Sequence, residues 1–175
     1  MPSTLEALDA LRKAGHFVTL ATGRSRFLAE SVIRELQFEN YILCNGAAGF
    51  FNHQQVFKET LDQQALTTLI EVCQARGIDT AIVQLDQSKR LSSFDLEKMQ
   101  DAMTSFGSTA SELGELAHDD EVYQALAYYE KDCDPLFEGQ HPAFNFVRWH
   151  EKCVDVIPAN GSKARTLLAL AERLG

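Results

Sequence analysis

The first 44 residues alternate between helical and extended patterns, and this alternation restricts the fold more than any other feature of the sequence. Apolar residues at helical spacing precede each of two short apolar runs that are typical of buried strands. The predicted elements are a helix that stops at Gly15, a strand over Phe17–Ala21, a helix over Ser25–Leu36 and a strand over Tyr41–Cys44. Helices and strands that alternate with short links form right-handed parallel units, so we expect an α/β fold.

The pattern changes after Asn45 to one of hairpin signals and short strands. Gly49–Phe51 and Val56–Lys58 flank a polar turn and are predicted to form a β-hairpin. The predicted elements that follow are helices near 62–76 and 95–106 and strands near 80–85, 122–129, 144–150 and 153–157. This order indicates an α+β unit on an antiparallel sheet, inserted into the α/β core.

A last helix is predicted from Ser162 to Leu174, and its apolar spacing predicts an inward face. The residues on that face are Leu167, Leu168, Ala171 and Leu174. The predicted domains are then a core over residues 1–47 and 153–175 and an inserted cap over residues 48–152. Both ends of the core look cut.

Composition and charge narrow the function classes. Hydrophobic residues make up 45% of the chain and charged residues 23%, which excludes disorder. With 16 Lys and Arg against 25 Asp and Glu, the net charge is −9 and no basic stripe is found, so we expect no nucleic-acid partner and no membrane binding. No run approaches the ~18 apolar residues of a membrane span. The first residues do not form a signal peptide, so we expect a cytoplasmic protein.

The four cysteines are far apart and form no C-x-x-C pair. Each lies in or beside an apolar stretch, which favours reduced thiols that pack as small core residues. A zinc site can be drawn from Cys133, His141, His150 and Cys153, but its spacing fits no standard template.

Thr22, Gly23 and Arg24 lie where a predicted strand ends and a helix begins. Open α/β sheets bind ligands at this edge, and the amides at a helix N-terminus favour an anion such as phosphate. The Thr22 hydroxyl can donate to a phosphate oxygen, Gly23 allows close approach of the backbone, and Arg24 carries charge. The structural alternative is that Thr22, or Ser25 in its place, only caps the helix.

Two further segments are also predicted to lie at a strand end or at a helix start. Asn45 and Gly46 follow the next strand, where they can contact a ligand or only form a turn. Lys163 lies in the first turn of the last helix, where the helix dipole disfavours a cation, so it needs an anionic partner or full solvation. The segment lacks the residue order of a Walker phosphate-binding loop.

Together the three motifs resemble those of the haloacid dehalogenase (HAD) superfamily, in particular Cof-type phosphatases of subfamily IIB. The resemblance covers nearly the whole chain and is carried by ATGR, NG and GSKA at these separations. It implies a Rossmann-like core with a cap, and Mg²⁺-dependent hydrolysis of a small phosphorylated metabolite such as a sugar phosphate. It also implies that Thr22 binds the transferred phosphoryl group and Lys163 neutralises it. Asn45 and Gly46 would lie at the cap hinge, near the substrate.

The sequence departs from the family pattern at both ends. The D-x-D-G-T motif that supplies the nucleophile and the acid/base is absent, as is the G-D-x-x-N-D motif that holds Mg²⁺. No substitute with D-x-D spacing at a core strand end is found among Asp119, Asp120, Asp132, Asp134 and Asp155. Phosphoaspartate catalysis needs a carboxylate nucleophile and a metal, so we expect the chain alone to be close to inactive.

Three interpretations follow. In the first, the chain is most of a HAD phosphatase, truncated at both ends. In the second, it is a non-catalytic module or gene relic that binds phosphate, a sugar phosphate or a partner chain. In the third, it is an unrelated α/β protein in which Thr22 and Lys163 lie far apart. An exposed apolar edge at Phe17–Ala21 also predicts self-association.

Overall fold

The computed structural model of the protein describes residues 2–172. In chain order, its helices are α1 (Pro2–Lys13), α2 (Arg26–Glu35), α3 (Gln63–Gln74), α4 (Leu96–Ser105) and α5 (Lys163–Glu172). Its strands are β1 (Leu20–Ala21), β2 (Tyr41–Leu43), β3 (Ala48–Phe51), β4 (Gln54–Lys58), β5 (Asp79–Val83), β6 (Ser88–Arg90), β7 (Gln124–Tyr128), β8 (Phe144–His150) and β9 (Cys153–Pro158). Over residues 2–172, no helix has the length and apolar character needed to cross a membrane.

The described chain divides into two compact units, one formed by residues 2–58 and 162–172 and the other by residues 59–161. This division differs at both ends from the boundaries predicted at residues 48 and 152. Strand pairing is the reason, because β3 pairs with β2 while β9 pairs with β7 and β8. The assignment of the two units as core and cap stays a prediction.

The first unit contains a four-stranded sheet in the order β1-β2-β3-β4. β1 and β2 are parallel, as the alternating pattern predicts, and the other pairs are antiparallel. The strand predicted over Phe17–Ala21 is confirmed only for Leu20–Ala21, and it is not buried as expected, since Ala21 is exposed and Phe17 is 40% exposed. Within residues 2–172, β1 is an edge strand that pairs only with β2, which agrees with its lower burial. Self-association through this edge stays a prediction.

The predicted hairpin is confirmed as β3 and β4, joined by Asn52 and His53. Both turn residues have positive φ angles, 47° and 62°, as in the two-residue turns that match the twist of paired strands. The hairpin extends the sheet that begins with β1 and β2.

The second unit contains a five-stranded antiparallel sheet in the order β6-β5-β7-β9-β8. The predicted antiparallel α+β unit is therefore confirmed, although β6 was not predicted. Alternate residues of the strands form two cores. One contains Leu66 of α3 with Ile82, and the other contains Met99 of α4 with Ala81, so the two helices cover opposite faces of the sheet.

The predicted inward face of the last helix is wrong. Leu167 and Leu168 are 40% and 65% exposed, whereas Thr166 and Leu170 are each 1% exposed. The buried pair packs over Gly49 of β3, where a Cβ atom would lie 2.9 Å from Thr166 Cγ2 and 3.8 Å from Leu170 Cδ2. Ala171 is also exposed, and Leu174 lies outside the described residues.

The four cysteines are free, as predicted. Cys44, Cys73 and Cys153 are buried, and Cys133 is half-buried. Burial raises the pKa of the Cys73 thiol to about 12, which keeps it protonated and unreactive at neutral pH.

Candidate functional site

The three predicted motifs meet at one place in the first unit. A Cβ atom added to Gly23 would lie 2.8 Å from Asn45 Oδ1, so the first motif touches the second. A Cβ atom added to Gly46 would lie 2.5 Å from the carbonyl carbon of Ser162 and 2.7 Å from the backbone nitrogen of Lys163. The second motif therefore touches the third. This arrangement is incompatible with the interpretation in which Thr22 and Lys163 lie far apart.

Backbone hydrogen bonds fix the first motif to the second. The amide of Thr22 donates to the Ile42 carbonyl at 2.9 Å and continues the parallel pairing of β1 with β2. The amide of Asn45 then donates to the Thr22 carbonyl at 3.2 Å, and that of Cys44 donates to the Arg24 carbonyl at 3.0 Å. The two strand ends are thereby held as one rigid edge of the sheet.

The Thr22 hydroxyl is oriented by its own turn. Its Oγ1 accepts a hydrogen bond from the Arg24 amide at 3.2 Å. A hydroxyl has one hydrogen to donate in addition to its acceptor lone pairs, so this bond leaves the Thr22 hydrogen available to a ligand oxygen. Thr22 is half-buried at the strand end, so its side chain is still partly exposed to solvent.

Neither proposed cap satisfies the first turn of α2 through its side chain. Ser25 occupies the N-cap position, but its side chain makes no capping hydrogen bond. The residue is completely buried, and among the described residues its Oγ has no hydrogen-bond partner. Thr22 bonds to Arg24, which precedes the helix. The purely structural explanation of Thr22 as a helix cap is therefore wrong.

The turn after β2 is held in an uncommon backbone conformation. Cys44, Asn45 and Gly46 have consecutive φ angles of 50°, 56° and 104°. Residues other than glycine at such angles cost about 1–3 kcal/mol each and persist where their surroundings hold them. Here the turn presents the Asn45 side chain to Gly23 and the backbone of Gly46 to α5.

Lys163 is exposed at the first residue of α5. The start of this helix is tied to the turn by Thr166, whose Oγ1 donates to the Gly46 carbonyl at 2.5 Å. Thr166 was not predicted from the sequence. The local signal was weak, because Thr166 is one of several polar residues in α5 and lies about one turn after Lys163.

The carboxylates considered as substitutes for a nucleophile all lie in the second unit, and they are Asp119, Asp120, Asp132, Asp134 and Asp155. Asp120 pairs with Lys89 at 3.3 Å, and Asp134 pairs with Arg148 at 2.5 Å. None of the residues that meet at the site carries a carboxylate.

Residues 2–172 contain no cluster of three or more His, Cys, Asp and Glu side chains suited to a metal ion. The zinc hypothesis is therefore wrong: Cys153 packs in the core beside α4, while His141 stacks on Phe137. The Mg²⁺ ion that the resemblance implies needs oxygen ligands such as carboxylates. That its ligands are missing from this chain stays a prediction.

Comparisons with known proteins agree with the resemblance. The chain matches haloacid dehalogenase-like hydrolases over residues 1–175. It is 28% identical over 173 residues to "Putative phosphatase YkrA" of Bacillus subtilis (strain 168). This alignment covers 98% of the present chain and 66% of that protein. The crystal structure of a hypothetical protein from Geobacillus kaustophilus HTA426 matches with a TM-score of 0.90 at 28% identity, over 99% of this chain and 68% of that one.

A more distant structure has the same fold. The sugar phosphatase BT4131, of HAD subclass IIB, matches with a TM-score of 0.82 at 21% identity, over 100% of this chain and 69% of that one. The present chain thus spans about two thirds of the length of these relatives. The match extends through both the α/β part and the inserted antiparallel part, which confirms the predicted fold class. The chain belongs to the haloacid dehalogenase-like hydrolase family.

Proposed function

We propose that the site in the first unit binds the phosphoryl group of a small phosphorylated metabolite, a sugar phosphate being the favoured class. The observation that carries this proposal is the meeting of Thr22, Gly23, Asn45 and Gly46 with the backbone of Lys163. The sugar phosphatase BT4131 supports the choice of a sugar phosphate. The relative named "Putative phosphatase YkrA" supports a phosphorylated ligand without indicating its class.

The chemistry of the site suits an anion with several oxygens. Two helices, α2 and α5, begin at the site, and a helix N-terminus favours negative charge. Arg24 and Lys163 add two positive charges, and the Thr22 hydroxyl adds a neutral donor. Gly23 lets the backbone approach a ligand without interference from a side chain.

Binding is expected without appreciable turnover by this chain alone. A phosphoaspartate mechanism needs a carboxylate at the phosphorus atom, and none of the described residues at the site has one. The chain then performs the binding part of a HAD phosphatase reaction, and Mg²⁺, when bound, would offset charge between carboxylate and phosphate. The second unit, residues 59–161, is proposed as the cap that selects the substrate.

The test is isothermal titration calorimetry of the 175-residue chain with inorganic phosphate. Wild type is expected to bind, and Lys163→Met to bind about tenfold more weakly, because a hydrogen bond to a charged group contributes about 1.5–3 kcal/mol. Lys13→Met, which removes an exposed lysine of α1, is the matched control and is expected to bind as wild type does. Absence of phosphate binding by wild type would contradict the proposal.

A parallel assay with p-nitrophenyl phosphate and Mg²⁺ separates the hydrolase from the non-catalytic binding module. No release of phosphate above the buffer rate is expected from the chain alone. Robust Mg²⁺-dependent release that Lys163→Met abolishes would show that the chain is a working phosphatase, and the expectation of inactivity would be wrong.

A further inference from the structure

Thr166 is a buried polar residue in a helix whose neighbouring leucines are exposed. Its Oγ1 lies 2.5 Å from the Gly46 carbonyl oxygen and 3.2 Å from the Ser162 carbonyl oxygen of its own helix. A hydroxyl donates one hydrogen, and the shorter contact is the one that joins the helix to the turn after β2.

The methyl group of Thr166 is fixed as closely as its hydroxyl. It packs over Gly49, where a Cβ atom would lie 2.9 Å from Thr166 Cγ2. The side chain thus cannot turn away from Gly46 without losing this contact. The two groups can be removed separately, because valine keeps the shape of threonine without the hydroxyl and serine keeps the hydroxyl without the methyl.

The hydrogen bond from Thr166 to Gly46 lies beside a close backbone contact between the start of α5 and the turn after β2. A Cβ atom on Gly46 would lie 2.5 Å from the Ser162 carbonyl group and 2.7 Å from the Lys163 nitrogen. Lys163 precedes Thr166 by three residues, close to one helical turn. The position of Lys163 relative to Asn45 is therefore set by how firmly Thr166 holds the Gly46 carbonyl.

We propose that Thr166 is a positioning residue of the phosphate site. It holds the Asn45–Gly46 turn against the first turn of α5 and so keeps Lys163 beside the other two motifs. This inference rests on the proposed function for its ligand, but the geometry that it claims is measurable without any ligand. Loss of the hydroxyl lets the turn relax, because Cys44 and Asn45 hold strained φ angles there.

The experiment compares wild type, Thr166→Val, Thr166→Ser and Lys163→Met in the whole chain. The ligand-free readout is the nuclear Overhauser effect between the Gly46 Hα protons and the Lys163 amide proton, and the second readout is the affinity for inorganic phosphate. Thr166→Val is expected to lose the Overhauser effect and to bind phosphate about tenfold more weakly. Thr166→Ser is expected to retain both, and Lys163→Met to retain the Overhauser effect but lose affinity.

Three results would overturn the inference. The first is Thr166→Val with the Overhauser effect and the phosphate affinity of wild type. The second is that Thr166→Ser, which keeps the hydroxyl, binds phosphate as weakly as Thr166→Val. The effect would then come from the lost methyl packing, and this result can be read from the serine variant even if the valine variant does not fold. The third is that wild type binds phosphate and Thr166→Val loses the Overhauser effect but keeps the phosphate affinity of wild type. If wild type does not bind phosphate but the Overhauser effect follows the hydroxyl, the proposed function fails and the positioning role stands.

Discussion

Gly46 shows how one residue can be required for two separate reasons. Its φ angle of 104° is unfavourable for residues with a side chain. In addition, a Cβ atom would overlap the backbone of Ser162 and Lys163 at 2.5–2.7 Å. Backbone atoms at a helix start cannot move away as the end of a flexible side chain can, so the second cost adds to the first.

Gly15 provides a matched test of this argument. It also has a positive φ angle, 80°, but a Cβ atom there would meet nothing within 4 Å. Gly15→Ala is therefore expected to lower the free energy of unfolding of the first unit by about 1–2 kcal/mol, the conformational cost alone. Gly46→Ala is expected to lower it by more than about 3 kcal/mol, because the steric cost is added.

Urea unfolding followed by NMR signals of the first unit measures both values. The single tryptophan is unsuitable for this purpose because it lies in the second unit. Equal costs for the two variants would mean that the close approach of Gly46 to α5 is absent in solution.

At this scale the sequence was sufficient to single out three segments that the structure brings together. Thr22, Asn45 and Lys163 were predicted because each stands at a predicted strand end or helix start, which is a local property, and their role at a site stays a prediction. Thr166 was not found, because its importance depends on the carbonyl of Gly46, which is 120 positions away in the chain. No local pattern reports such a bond.

At the scale of elements, one carboxylate, that of Asp120, holds the loop that precedes β7 through several hydrogen bonds. Asp120 accepts hydrogen bonds from the Ala117 amide at 2.9 Å, the Gln84 side chain at 3.0 Å and the Lys89 ammonium at 3.3 Å. The Ala117 amide is the largest influence on its pKa and lowers it, and Lys89 and Gln84 lower it further against the effect of desolvation. The pKa of Asp120 thus lies below its ordinary value of 3.8.

This lowered pKa predicts how the stability of the second unit depends on pH. The folded state binds the proton of Asp120 less tightly than the unfolded state does, so the stabilisation is present above the unfolded pKa. It is lost as the pH falls from about 4 through the folded pKa. Between about pH 5 and about pH 3, wild type is therefore expected to lose more unfolding free energy than Asp120→Asn does.

Urea unfolding monitored by the fluorescence of Trp149, in the second unit, gives these values at each pH. Asp119→Asn removes the adjacent, exposed carboxylate and is expected to follow wild type. An identical pH dependence in wild type and Asp120→Asn would show that the Asp120 bonds do not form in solution.

Two elements show where sequence reasoning failed at this scale. In α5, helical spacing allows two stripes, one with Leu167 and Leu168 and one with Thr166 and Leu170. Hydrophobicity favours the first, but Gly49 of β3 leaves space for the second, and a sequence pattern does not contain that information. β7, β8 and β9 were all correctly predicted as strands, yet the pairing of β9 with the other two was not predicted, because pairing is a non-local property.

At the scale of the whole molecule, the fold class could be predicted from local periodicity. The boundaries of the two units could not be predicted in this way. Alternating helices and strands were sufficient to predict the parallel pair β1 and β2, and hairpin signals were sufficient to predict β3 and β4. The boundaries depend on which sheet each strand joins. Since β3 and β4 join β2, the first unit continues to Lys58.

In our proposal, three segments that are distant in sequence form one phosphate site in the first unit. A titration of the ¹⁵N-labelled chain with inorganic phosphate at constant ionic strength, followed by amide NMR shifts, tests whether they bind as one site. We predict that the amides of Gly23, Arg24, Gly46 and Lys163 shift together with a single dissociation constant. Shifts confined to one segment, separate constants for the segments, or no shifts would contradict the claim.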